Sequence, residues 1–295
     1  MPLLDILPQL IVNGLIAGSI YALAASGFSL IYYVVKFQYF SHGAIMAIAA
    51  YSFFAFVNLM HLNYILAAIL TIIISIVVTL LKNLFVYGQL RKRKATPTIS
   101  LITSVVVLIF ISSLLLAIFG SSTKTISFYN KTFDFGTFTI TLIQVSVIAS
   151  AILLFLFLWF IFKKTKFGKA MRALADNKDV AQIVGINPEK IYIYTFIISA
   201  IFGAIGGVLL GLEQNLYPRM GIPIIIKGFI GSVVGGLGSV PGAIVGGLFI
   251  GLAENVGVLY LPTGYKDVIS FSVLLLFLLF RPQGILGVKM RDRLI

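Results

Sequence analysis

The sequence predicts an all-α protein, a polytopic transmembrane helix bundle of eight or nine segments with its N-terminus outside and its C-terminus in the cytoplasm. Three observations predict it. The chain is 60% hydrophobic and 11% charged with a mean hydropathy of +1.08, far more apolar than a soluble domain. Its apolar runs are long enough for helices that cross ~30 Å of hydrocarbon with roughly 20 residues each. Its basic residues collect in alternate loops between those runs. The net charge of +13 is spread between apolar spans and pooled on no single face, which sets nucleic-acid binding aside. There are no cysteines, so disulfides and thiolate metal sites are excluded and the redox compartment is not readable.

The amino-terminal stretch MPLLDILPQL carries Asp5 and no Lys or Arg. It lacks the basic start of a secretory signal peptide, so the first apolar run is expected to stay in the mature protein. The segments are read at 9–32, 41–59, 63–87, 98–119, 141–162, 191–212, 222–238, 241–260 and 266–280. The seventh and eighth are short and glycine-rich, and form either two spans or one broken, re-entrant pair. If 163–190 is cytoplasmic, alternation puts sixteen basic residues inside, among them Lys36, Arg91–Lys94, Arg281, Lys289, Arg291 and Arg293. Five fall outside, namely Lys124, Lys131, Arg219, Lys227 and Lys266. Lys82 lies in a span near its inner end and can snorkel. The loop 120–140 reads as a small irregular cap.

The first span carries Gly14, Gly18, Ala22 and Ser26, four residues apart on one helix face; Gly203, Gly207, Gly211 and then Gly247, Gly251 repeat the device. Small residues at this spacing let helix backbones approach closely. Packing is the default reading, with the Phe- and Ile-rich middle spans turned to lipid. The run GGLGSVPG, 235–242, breaks a membrane segment, and irregular backbone at membrane depth points to a lined passage. Glu254 lies on the small-residue face, where an ionisable group is either functional or solvated near the outer end beside Asn255. No charged partner for it is evident within the spans. Asn13, His42, Glu254 and Asn255 are the candidate path-lining residues, Asn13 having helix capping as its alternative. His42 opens the second segment as a hydrogen-bonding group, with no second His or Cys at ligand spacing, so no metal site is expected. No phosphate-binding loop, His-Glu-x-x-His or Gly-x-Ser-x-Gly occurs, and neither an enzyme site nor a bound cofactor is expected.

The long polar interval 163–190 holds seven basic residues and, at helical spacing, Ala170, Leu174, Val180, Ile183 and Val184. This predicts an amphipathic helix whose apolar stripe rests on a partner or on lipid headgroups. In sequence, the stretches NGLIAGSIYALAASGFSLIY (13–32), FQYFSHGAIMAIAAY (37–51), FGKAMRALADNKDVAQIVGIN (167–187) and KGFIGSVVGGLGSVPGAIVGGLFIGLAEN (227–255) resemble the permease subunits of branched-chain amino-acid ABC transporters. The loop resembles the Glu-Ala-Ala-x-x-x-Gly docking motif of ABC importers, with Asp179, Val180, Ala181 and Gly185 in its places. The resemblance implies a single permease domain over 1–295 in a bacterial or archaeal plasma membrane. It also implies a second permease subunit, two cytoplasmic ATP-binding subunits and an extracytoplasmic substrate-binding protein. On this view the helix Gly168 to Gly185 is gripped by an ATP-binding subunit, with Arg172, Asp176 and Asp179 fixing its register. Urea, short amides or other small solutes stay open as substrates, as do a stand-alone secondary transporter and a channel.

Overall fold

The structure is a computed structural model describing residues 2–128 and 130–287; Lys289, Arg291 and Arg293 of the basic tail lie outside the described residues. Helix α1 (Pro2–Val35) is followed by α2 (His42–Phe54), which widens into a π turn at Ala55–Leu59. Helix α3 (Tyr64–Lys82) runs through another π turn, Asn83–Tyr87, into the short α4 (Gly88–Lys92). Helix α5 (Pro97–Phe119) starts at a Thr96 cap with proline in its first turn, where a missing N–H costs nothing.

A two-stranded antiparallel hairpin, β1 (Thr132–Asp134) and β2 (Thr139–Thr141), replaces the irregular cap expected at 120–140. Gly136, at φ 76°, makes the reversal while Asp134 Oδ1 accepts from its N–H at 2.8 Å. Helix α6 (Leu142–Lys164) begins with a Thr141–Gln144 capping box. Then come α7 (Lys166–Asp176), α8 (Lys178–Ile183), α9 (Pro188–Glu213), α10 (Gly221–Gly235), α11 (Val240–Gly257) and α12 (Lys266–Phe280).

Among the described residues, eight stretches are long and apolar enough to cross a membrane, and α10, at 15 residues, is a shorter apolar ninth. Helix α1 is the centre, packed against α9, α10 and α11. Within the most apolar window of each, 83% of Ile6–Val35 and 72% of Pro188–Glu213 is buried, against 17% of Leu142–Lys164, which separates core helices from peripheral ones. Peripheral α3, α5, α6 and α12 expose Ile65, Phe110, Leu153 and Leu279, a surface suited to lipid tails.

The 235–242 run forms the turn between antiparallel α10 and α11, close to Tyr32 near the end of α1. The end of α10 is tied to the segment after α12: Ile285 N donates to Val234 O and Leu286 N to Gly235 O, both at 2.8 Å. Gly236 and Gly284, at φ 118° and 77°, are pressed together where a Cβ on either would strike backbone.

Candidate functional site

The interval 163–190 folds as two helices rather than one. Asn177 accounts for the break: its N–H closes α7 on Ala173 O, and its side chain accepts from the N–H groups of Asp179 and Val180 at 3.0 and 3.1 Å to start α8. Upstream, Thr165 Oγ1 caps α7 through Gly168 N at 3.0 Å. A Cβ on Gly168 would strike the carbonyls of Ile161 and Phe162, so the chain turns from α6 to α7 only with glycine there.

The expected stripe is therefore divided. Met171, Leu174 and Ala175 of α7 are buried against the bundle, with Ala170 half-buried, and this part is taken up internally. Ala181, at the motif's small-residue position, is also buried and holds α8 down. Val180, Ile183 and Val184 remain outside at 54%, 84% and 67% exposure, an apolar ridge with no cover from the described residues. Exposed Arg172 donates to Phe162 O, tying α7 to the end of α6. Asp176 and Asp179 are exposed, Asp179 in the first turn of α8. Burial lowers the Lys36 ammonium while nearby Asp176 raises it, so the loop after α1 and the end of α7 share one electrostatic neighbourhood. Gly185, at φ 87°, ends α8: Ile186 N reaches back to Ala181 O at 2.9 Å and Gly185 N to Gln182 O at 3.0 Å. A surface cleft of about 420 Å³ lies between Gly185 and Glu189, bordered by Lys178 and Gln182.

Inside the bundle, the small-residue faces meet each other. An added Cβ on Gly14 or Gly18 would lie 3.0 and 2.9 Å from the Cα atoms of Leu252 and Leu248, and one on Gly247 2.6 Å from Ala22 Cα. Gly251 approaches Gly18 in the same seam, between α1 and α11. Gly203 and Gly207 receive α2 at His42, Ile45 and Met46.

The predicted path residues do not converge. Glu254 is buried at 1% exposure, and its partner is Lys227 of α10, which was counted among outer-loop charges and is itself buried. Tyr21 donates to Glu254 Oε2 at 2.9 Å, and Ser270 to its other oxygen. Lys227 also reaches Asp267 at 2.7 Å. Asn255 accepts from Lys266 Nζ at 2.8 Å. Asn13 stands apart, accepting from Gln9 Nε2 at 3.0 Å, while Gln9 Oε1 accepts from Thr139 N at 2.8 Å beside the hairpin. His42 is fully buried under Gly27 and Gly203 and meets Ser199 Oγ at 3.2 Å. No group of three His, Cys, Asp or Glu suited to a metal ion occurs among the described residues.

A family profile described as "Branched-chain amino acid transport system / permease component" matches residues 10–278. The chain belongs to this permease family. The high-affinity branched-chain amino acid transport system permease protein LivH of Salmonella typhimurium is 34% identical to it, and BraD of Pseudomonas aeruginosa, of the same description, is 33% identical; each alignment covers 95% of both chains. A solved chain of PsaBC from Streptococcus pneumoniae in complex with Fab shares the fold with a TM-score of 0.53 at 14% identity, over 96% of each chain. With eight apolar helices, the permease is a multi-pass protein of the plasma membrane.

One buried group in the permease was missed in the sequence. Lys82 does not snorkel: it is buried at 7% exposure, donates to Ser41 O at 3.2 Å and sits 5.2 Å from the centre of the Tyr39 ring. Ser41 Oγ in turn lies 2.7 Å from Tyr87 OH. Thr71, Ser75 and Thr79, also buried, lead along α3 towards it. Their four-residue spacing inside an Ile- and Leu-rich run was the available signal for an inward face.

Proposed function

We propose that the chain is the membrane-spanning subunit of an ATP-driven importer of branched-chain or related amino acids. It would work with a second permease subunit, two cytoplasmic ATP-binding subunits and an extracytoplasmic binding protein, and bind no ATP itself. The observation that carries the reading is a family match over nearly the whole chain in which the polar loop of the resemblance presents an uncovered apolar ridge. Val180, Ile183 and Val184 expose carbon that water penalises, on a helix anchored firmly enough to transmit force: Ala181 is buried beneath it and α7 is packed behind it.

In this mechanism an ATP-binding subunit grips α8, and its closure moves α7 and α8 as one lever. Arg172 acts as an anchor to α6 rather than as a contact, while Asp176 and Asp179 stay available to the partner. The movement passes to α1, α6 and α9, against which α7 packs. The glycine seams let these helices shift while remaining close. Kinship favours an importer over an ion-coupled carrier. The argument from charge does not, because Glu254 has a buried partner after all.

The test is Ile183→Asp in the assembled transporter. The chain should still reach the membrane, yet ATP-driven L-leucine uptake should fall at least about tenfold, as expected for an interface hot spot. Uptake at the unaltered rate would refute the docking assignment.

A further inference from the structure

At the end of the bundle opposite α7 and α8, a cavity of about 170 Å³ opens among α1, the end of α9 and the segment after it, α10, the end of α11 and the start of α12. One side of it is charged, with Lys227 and Glu254 deeper and Lys266 and Asp267 at the mouth. The remaining lining mixes apolar Leu210, Met220, Pro223 and Ile224 with Gln214 and Tyr217.

The charges are equal in number but unequally satisfied. Lys227 is shared between Glu254, which is buried, and Asp267, which is 74% exposed. Asp267 thus holds a fraction of one ammonium and keeps lone pairs turned to the cavity. Lys266, the second cation, has a neutral amide for its partner, Asn255 Oδ1 at 2.8 Å. It also stands at the first position of α12, where the helix end favours an anion. A carboxylate short of a cation and an ammonium short of an anion are therefore neighbours in the chain, beside the apolar part of the lining. Apolar residues would serve packing alone at less desolvation cost than this set of charges.

We propose that this cavity binds a zwitterionic α-amino acid with an apolar side chain. Its ammonium joins Asp267, its carboxylate meets Lys266, and its side chain lies on Leu210, Met220 and Ile224. The Lys227–Glu254 pair stays closed and braces the floor, with Tyr21 and Ser270 holding the glutamate. Because the ligand carries both charges, binding leaves the net charge of the site unchanged. A monovalent acid or amine would satisfy one partner and leave the other worse off. The inference rests on the amino-acid reading above and adds to it a subsite in the permease itself.

The test is binding of L-leucine to the full-length chain in lipid nanodiscs, with 4-methylpentanoate and 3-methylbutylamine as single-charge competitors. The expectation is saturable leucine binding, competition by either analogue at least about tenfold weaker, and a loss of about tenfold in Asp267→Asn and in Lys266→Gln, as for charged hydrogen bonds. Both variants should stay folded with a thermal midpoint close to that of the native chain, since Lys227 keeps Glu254 and a glutamine at 266 can still donate to Asn255. No binding, equal competition by the analogues, or unchanged binding in both variants would overturn the site. If the assembled transporter takes up leucine while its isolated permease shows any of those results, only the site is wrong. If the assembled transporter takes up no leucine at all, the functional reading fails.

Discussion

At Glu254 a carboxylate with its oxygens committed to Lys227, Tyr21 and Ser270 sits almost wholly out of water. Replacing it with alanine leaves the buried Lys227 ammonium only the exposed carboxylate of Asp267, and loss of the buried partner of such a pair costs up to about 3–5 kcal/mol. Glu254→Ala should therefore unfold at a distinctly lower temperature in detergent, and Glu254→Ala with Lys227→Met should recover part of the loss. An unaltered melting curve in the single variant would mean that the pair contributes nothing to the fold. Gly185 poses a different residue-level question, since a Cβ there meets no atom within 4 Å and the cost lies in the backbone. At φ 87° an L-residue costs about 1–2 kcal/mol, less for asparagine. Hydrogen exchange along α8 should be faster in Gly185→Ala than in the native chain, with Gly185→Asn between; equal exchange in all three would remove the capping role.

The seam between α1 and α11 depends on having no side chain at the crossing. Gly18→Leu would drive a branched group into the Leu248 backbone, so it should sharply reduce folded yield. Gly264→Leu, where an added Cβ meets nothing within 4 Å, should be tolerated; equal yields in a detergent-stable fraction would contradict the seam. This element was readable in advance because its signal is a period, Gly14, Gly18 and Ala22 answered by Gly247 and Gly251. The helical spans were readable for the same reason. The division of the polar interval was not, because Ala170, Leu174, Val180 and Ile183 fit one continuous helix and a single asparagine cap decides otherwise. Nor was the Lys227–Glu254 pair: the residues are 27 apart, and only the packing of α10 on α11 brings them together. Lys82, expected to snorkel, turns into the bundle instead, since the loop after α1 folds inward and offers Ser41 to it.

For the whole molecule, the two ends of the bundle have opposite assignments. The end carrying α7, α8 and the Arg91–Glu189 ion pair, at 2.9 Å, would face the cytoplasm and an ATP-binding subunit. The end carrying the hairpin and the mouth of the charged cavity would face the binding protein. Since the chain has no cysteine, single cysteines report position without background. The most direct measurement places Ile183→Cys and Asp267→Cys in separate full-length chains, in membranes with and without the ATP-binding subunits, and labels each with an impermeant maleimide from either side of the membrane. The expected result is labelling of position 183 from the cytoplasmic side alone, blocked when the ATP-binding subunits are present, and labelling of position 267 from the opposite side. Labelling of position 183 from outside, or at the same rate with and without those subunits, would contradict the account.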